Sequence, residues 1–542
     1  MKKYLLSFLS ILSSIVLFAQ DFTKADELKG ALTDERVWFD VQHYDLSVDV
    51  NPKKQMLEGT NVITYTVLDS EKVMQIDLQS PMEIDKITQD GKKLKYKVKE
   101  KSHYFIKLKK KQSVGDENKI TITFSGKPIV AKNAPWDGGL SWKKDDNGND
   151  FVATSNQGIG ASVWWPCKDH PSDEPDNGID LAITTPSNLM GVGNGRLISE
   201  VDNGKTKTWN WKVINPINNY GVNINVGDYV HFDYKHEGVA GMLDVDYYVL
   251  SYNLEKAKTQ FEQVPLMLNA FEYWFGPYPF YEDSYKLVEV PYLGMEHQSS
   301  VTYGNKYQNG YLGNDLSGSG WGLRFDFIII HESGHEWFAN NITNSDVADM
   351  WIHEGFTAYS ENLFLDYHFS KEASSEYVVG TRERIQNDRP LIGEYGFANE
   401  GSSDMYYKGA NMLHTIRQLI EDDKKWRDIL RGLNSDFKHQ IVSSKQVENY
   451  ISNASGIDLT QFFEQYLRTT MIPKLEYKYV RNELSYRYLN VVDGFDMPLE
   501  VLINGKPKWI YPTFEWKTTE NIGDIREFYI RDDFYIEKEM VE

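Results

Sequence analysis

Phe327-Ile328-Ile329-Ile330-His331-Glu332-Ser333-Gly334-His335, with Trp351-Ile352-His353-Glu354-Gly355-Phe356 further on, is the stretch on which the reading of this chain turns. Residues four apart on a helix project from one face, so His331 and His335 can offer two imidazole nitrogens to one ion. Glu332, next to the first histidine, can reach a water on that ion. A catalytic zinc site takes three protein ligands and keeps a position open for water, and a carboxylate from a second helix completes such a set. Glu354, separated from His335 by eighteen residues, is the third ligand that the spacing offers. The pentad alone can also arise by chance in an amphipathic helix. Against chance, Gly334 costs a helix interior about 1 kcal/mol relative to Ala, and three isoleucines in a row are indifferent helix formers, so burial must hold the segment helical.

The chain has 542 residues, too many for one ordinary core, and about two to four domains are expected. Its hydrophobic content of 41% is ample for globular folding. The first residues read as a secretory signal: Lys2 and Lys3, an apolar run over 4–18, then the small Ala19 before Gln20. That run is shorter than the ~20 residues of a membrane-spanning helix and has serines through it. Cleavage near Ala19 and export, to the periplasm or as a secreted protein, is therefore expected instead of a membrane anchor. Loss of 1–19 removes two lysines and no acid, which takes the formal charge from −21 to −23. A field of that sign repels phosphate backbones and anionic lipid, so nucleic acid and membrane surfaces are poor partners. Cys167 is the only cysteine, which excludes an intrachain disulfide; a lone thiol is ordinarily a small core residue.

Short alternating runs bounded by Gly, Pro, Asn and Asp fill 21–247, with strands expected over 41–50, 61–67, 104–108 and 119–124. The acidic run Asp145 to Asp150 could suggest calcium, but it lacks the EF-hand spacing and lies between strand-like segments, where a hairpin turn is expected. Beyond Tyr247 helical periodicity takes over: 254–275 reads as one helix stopped at Gly276-Pro277, and further helices run to about 470. Ser443 with Gln446, and Asp458 with Gln461, have the spacing of capping boxes. Pro473 marks another boundary, followed by strand candidates over 475–480, 484–489, 498–503, 508–516 and 526–535.

Several gluzincin peptidases share the zinc spacing, and three other stretches narrow it. Gly294-Met295-Glu296-His297 resembles the G-x-M-E-N loop of the zinc aminopeptidases related to aminopeptidase N and the leukotriene epoxide hydrolase. Tyr406-Tyr407-Lys408-Gly409 resembles their Y-x-K-G segment, and Gln157, nine residues before Pro166-Cys167, falls where they carry Gln or Glu ahead of a P-C dipeptide. The pattern reads as an α+β multidomain chain, with a signal peptide over 1–19, an N-terminal all-β domain over 20–247, a catalytic domain over 248–472 and a small C-terminal β-sandwich over 473–542; the resemblance implies that the catalytic domain is thermolysin-like α/β. The long α-helical C-terminal domain of the family's larger members is expected to be absent.

Carried over residue by residue, the resemblance implies that Glu296 and Gln157, with Glu354, hold a substrate's free α-ammonium, the mark of an exopeptidase acting on peptides with a free N-terminus. A buried cation site needs anionic oxygens in any case. It implies one zinc ion on His331, His335 and Glu354, Glu332 as general base and Tyr406 as the phenol that stabilises the oxyanion; Tyr407 is the competing tyrosine. Glu361, two turns after Glu354, either accepts from a zinc-bound histidine or is a solvated surface glutamate. Two departures stand out: His297 replaces the usual Asn after Met-Glu, and His353 replaces an Asn before the zinc Glu. Neither is in ligand register, so packing or support of the site is the expected role. An epoxide hydrolase and a non-catalytic peptide-binding protein are the alternatives to an aminopeptidase; the latter would be expected to have lost Glu332 or a ligand.

Overall fold

The computed structural model describes residues 22–519 and 523–542; the expected signal segment 1–19 lies outside them. An N-terminal β-rich region, a helical region and C-terminal strands follow one another in the order expected.

The first region is built on an eight-stranded sheet. Its central strand Phe39–Asn51 pairs antiparallel with Met56–Val67 and parallel with Ile179–Pro186. Along Phe39–Asn51 buried and exposed positions alternate, as a strand with one face on a core requires. A three-stranded and a four-stranded sheet pack on the same core, which contains Trp38, Tyr44, Trp164, Trp165 and Cys167. Residues 145–149 form the turn of the hairpin between Gly139–Lys144 and Asp150–Ser155, with Asp145 N bonded to Asn149 O. Gln157 lies in the turn that follows, two residues beyond the second of these strands.

The change of character expected at Tyr247 does not coincide with a break between sheets. Tyr247 lies inside Gly241–Leu250, which pairs with Tyr229–Gly238 on one side and, in parallel, with Tyr285–Glu289 on the other. Val301–Tyr303 and the edge strand Gly294–Met295 complete this five-stranded sheet. Leu243, Val245 and Tyr247 share a core with the helices that follow, whereas Tyr229, Tyr248 and Leu250 pack into the core of the first region, so the hairpin 229–250 is shared between the two. Its alternating pattern, like that of the preceding strands, hides the switch.

The helix expected over 254–275 is two helices, Leu254–Gln260 and Gln263–Phe275. Pro265 is the reason: its ring would meet the carbonyl of Phe261 in a continuous helix, whereas the first turn of a new helix tolerates it. Ser443 and Gln446 form the expected capping box. Asp458 and Gln461 do not: the helix Thr460–Arg468 has Leu459 at its cap, and Asp458 Oδ1 accepts from Thr460 N at 3.0 Å, turning the chain in before the helix.

Two sheets form the C-terminal part: Lys517–Thr519, Glu483–Leu489, Lys474–Val480 and Glu537–Met540 in one, Lys506–Ile510, Leu499–Ile503 and Phe528–Ile530 in the other. Leu475 and Tyr488 from the first and Leu499 and Val501 from the second share the core of the helical region. The expected strand 508–516 stops at Ile510, since Pro512 cannot donate to a ladder, and 526–535 shortens to Phe528–Ile530. The strand Glu537–Met540, which pairs parallel to Lys474–Val480, is one that the sequence pattern does not announce. Among the described residues no helix is long and apolar enough to cross a membrane.

Candidate active site

The helix Phe327–Gly334 is buried along its whole length. Asp326 caps it, its Oδ1 accepting from Ile328 N at 3.1 Å, so the poor helix formers behind it start with a satisfied end. Gly334 answers a packing demand: a Cβ there would lie 2.6 Å from Ser360 Oγ on the neighbouring helix Trp351–His368. That close approach brings Glu354 of the second helix to His331 and His335 of the first. The α-helix stops at Gly334 and His335 is its cap residue, yet the two imidazoles remain adjacent, with centroids 5.0 Å apart.

Glu354 Oε2 lies 3.6 Å from His331 Nε2 and 3.3 Å from His335 Nε2, and it is buried with no hydrogen-bond donor. His331 Nδ1 donates to Glu361 Oε1 at 2.8 Å, and His335 Nδ1 donates to Phe338 O at 3.0 Å. With Nδ1 of both rings engaged in these bonds, both Nε2 atoms face the same carboxylate oxygen, and against burial the surrounding carboxylates push both imidazoles up. This donor set fits one divalent cation, which would take the place of the protons on the two imidazoles: two ring nitrogens and a carboxylate, converging and buried. Glu361 also accepts from Tyr377 at 2.6 Å, so it is a buried support of His331 and not a surface glutamate.

Gln157, Glu296 and Glu354 come together although 139 and 197 residues separate the first from the other two. Gln157 Nε2 donates to Glu296 Oε1 at 2.8 Å and to Glu354 Oε1 at 2.7 Å. Burial pushes the Glu296 carboxyl up, against the pull of His335. Burial also pushes Glu332 up to about 7, with His331 opposing and Glu296 reinforcing. For Glu354 burial acts the same way, but His335 and His331 outweigh it and hold the carboxyl below the ordinary range. The edge strand lays Gly294 against Glu332, where an added Cβ would be 3.0 Å from Oε1. Met295 packs with Ala153, Val290 and Tyr292 beneath the site.

The Tyr406 ring is nearly parallel to that of His331, at 5.9 Å, immediately before the helix Tyr407–Ile420. Lys408 points elsewhere: its Nζ donates to Thr469 O at 2.9 Å and ties the helix to the next segment. His297 and His353 are buried and kept neutral, their pKa values depressed by burial to about 3. His353 Nε2 accepts from Asn344 N at 2.9 Å, while His297 Nδ1 lies 3.5 Å from Thr302 Oγ1. His353 thus supports backbone near the site, His297 Nε2 is buried without a hydrogen-bond partner, and neither ring joins the converging donors.

Two models of one peptidase family match this chain: the peptidase M1 N-terminal domain over residues 40–220 and the peptidase family M1 domain over 259–466. The chain belongs to peptidase family M1. "Probable aminopeptidase 1" of Sulfurisphaera tokodaii is 23% identical over 494 residues, 86% of this chain and 58% of that protein. "Leucine aminopeptidase 2" of Vanderwaltozyma polyspora is 23% identical over 432 residues, 75% of this chain and 62% of that one. This M1 chain thus spans about three fifths of the length of these curated relatives. Among solved structures, the M1 zinc metallopeptidase of Deinococcus radiodurans aligns with a TM-score of 0.69 at 20% identity, covering 81% of this chain and 95% of that one. A mutant of that metallopeptidase bound to a Tyr-Ser-Ala substrate aligns at 0.68 and 19%, with 81% and 96% covered.

The M1 chain has one site residue that sequence reasoning misses. Tyr220 lines a cavity of about 470 Å³ beside Gln157; its hydroxyl is buried without a hydrogen-bond partner, and its ring stacks on His353 at 6.5 Å. Burial first, then the carboxylates of Glu296 and Glu354, push its phenol up. Tyr220 sits in an Asn-rich turn with no periodic or motif signal to mark it.

Proposed function

We propose that this M1 chain is a zinc-dependent aminopeptidase that removes the N-terminal residue from peptides. The observation that carries the reading is the Gln157 amide held between Glu296 and Glu354, one shared donor beside a metal-type donor set. It leaves the Gln157 carbonyl oxygen and the remaining carboxylate oxygens to accept from an α-ammonium group, and a peptide lacking that cation would leave the buried Glu296 uncompensated.

His331, His335 and Glu354 would hold the ion. When bound, zinc supplies a Lewis acid that polarises a carbonyl and acidifies water. Glu332, adjacent in sequence to His331 and packed against Gly294, would take a proton from the attacking water and hand it to the leaving amine. The Tyr406 phenol, stacked beside His331, supplies a donor for the oxyanion. Glu361 and Phe338 O keep the two imidazoles in the tautomer that binds a cation. Retention of Glu332 together with all three metal donors argues against a non-catalytic peptide-binding protein.

We further propose export, with cleavage near Ala19 and action in the periplasm or medium; the reading rests on Lys2-Lys3 and the apolar run after them. Amino-terminal sequencing of the mature protein from the exported fraction tests it.

The catalytic reading is tested with aminoacyl-anilide substrates, with and without a chelator, beside Glu332→Gln. Hydrolysis abolished by chelator, restored by zinc and lost in the variant is expected. Hydrolysis indifferent to both would end the zinc mechanism.

A further inference from the structure

The helix Lys24–Gly30 lies more than a hundred residues before any part of the site, yet it reaches the amino-end anchor. Lys29 Nζ donates to Gly158 O at 2.7 Å, so its ammonium group pins the carbonyl of the residue that follows Gln157. Lys29 and Gly30 line the 470 Å³ cavity together with Gln157 and Tyr220. The helix is itself locked in place. The Arg36 guanidinium donates to Lys29 O at 3.1 Å and Ala31 O at 2.8 Å, and His170 Nε2 donates to Gly30 O at 3.1 Å.

The opposite side of the helix is held by the segment that leads to Tyr406. Phe22 stacks on Phe397 at 4.2 Å, and Ala398 N donates to Asp26 O at 3.3 Å. Gly30 meets this segment so closely that a Cβ would lie 2.0 Å from Phe397 C and 2.3 Å from Ala398 N. No side chain fits there without moving the 397–398 backbone, and Ala398 is itself part of the cavity wall.

We propose that the N-terminal helix is a wall of the pocket beside the amine anchor, that Lys29 is a positioning residue for Gln157, and that the segment 22–31 determines which first residues are accepted. The inference rests on the aminopeptidase reading and deepens it by naming the substrate class. Ile159, Pro171, Val347 and Met350 stand in the cavity wall among polar residues that include Asp169 and Arg389, and its volume accommodates a large side chain. Peptides beginning with a large residue are the substrates this pocket fits. The Gln157 amide serves two carboxylates at 2.7 and 2.8 Å, so displacement of its neighbouring peptide unit by a fraction of an ångström weakens both bonds.

The test is kcat and KM of the full-length enzyme for alanyl- and leucyl-4-nitroanilide, in wild type, Lys29→Met, Lys29→Arg and Gly30→Ala. Wild type should favour the leucyl substrate. Lys29→Met and Gly30→Ala should each change the leucyl-to-alanyl ratio of kcat/KM by about ten-fold or more, chiefly through KM, and Lys29→Arg should restore most of it. Thermal unfolding identifies a variant that fails to fold, and Lys29→Met, which keeps the aliphatic stem, carries the test if Gly30→Ala does. An active wild type whose ratio is the same in both variants overturns the proposal alone. A wild type that cleaves neither anilide overturns the aminopeptidase reading and this proposal with it.

Discussion

Gln157 Nε2 lies 2.8 Å from Glu296 Oε1, a hydrogen bond between a loop of the N-terminal β-rich region and the edge strand region of the next sheet. The same nitrogen donates to Glu354, whose other oxygen faces His331 and His335. The proposed amine anchor and the proposed metal donors therefore share Glu354. Gln157→Leu keeps the bulk and removes both bonds. Because a hydrogen bond to a charged group is worth roughly 1.5–3 kcal/mol, KM for a free-amine anilide should rise about 10- to 100-fold. Hydrolysis of the N-acetylated analogue should stay at its wild-type level. An equal change for both substrates would show that Gln157 does not read the ammonium group.

Tyr406 and Tyr407 are adjacent in sequence, but only the first has its ring against His331. Loss of one preorganised oxyanion donor costs about 10²–10³ in kcat, so Tyr406→Phe should lower kcat by that factor with little change in KM. Tyr407→Phe should leave kcat near wild type. The reverse ranking in steady-state kinetics would transfer the oxyanion role to Tyr407.

Glu361 accepts from both His331 Nδ1 and Tyr377, and both contacts are buried. Glu361→Gln weakens the hold on the His331 tautomer without touching a metal donor. Zinc affinity should fall about 10- to 100-fold, read by competition against a chelator of known affinity and by metal content after dialysis. Wild-type retention of zinc would reduce Glu361 to a packing residue.

Glu174 is buried in the N-terminal region, and one of its carboxylate oxygens has no hydrogen-bond partner. Burial, reinforced by Asp173 and Asp176 and opposed by a hydrogen bond from Thr343, pushes its carboxyl up to about 8. An unfolded glutamate ionises near ~4.3, so between that value and the folded one the unfolded chain releases a proton that the folded chain keeps. Stability therefore falls as pH rises through this window. Glu174→Gln removes the ionisation and should flatten the decline in melting temperature between about pH 5 and about pH 9. A variant with the wild-type pH slope would show that Glu174 ionises as readily folded as unfolded.

The breaks in periodicity are legible only in part. The hairpin 229–250 reads like the strands before it, and only its pairing with Tyr285–Glu289 assigns it to the later sheet. Pro265 is plain in the sequence, but the apolar spacing of 254–275 runs straight across it. Asp458 has the right offset to Gln461, yet its side chain is taken by Thr460 N, a local competitor that spacing does not reveal.

His331, His335 and Glu332 are determined by sequence alone, since helical spacing is a property of the local backbone and sets which side chains share a face wherever the helix lies. Gln157 and Glu296 are reachable only through resemblance to other chains. The bond between them, the orphaned Tyr220 hydroxyl beside them and the Lys29 ammonium on Gly158 depend on segments more than a hundred residues apart or on turns without period. Those approaches are decided by how the two sheet systems and the N-terminal helix pack, and packing of distant surfaces leaves no periodic trace in the order of residues.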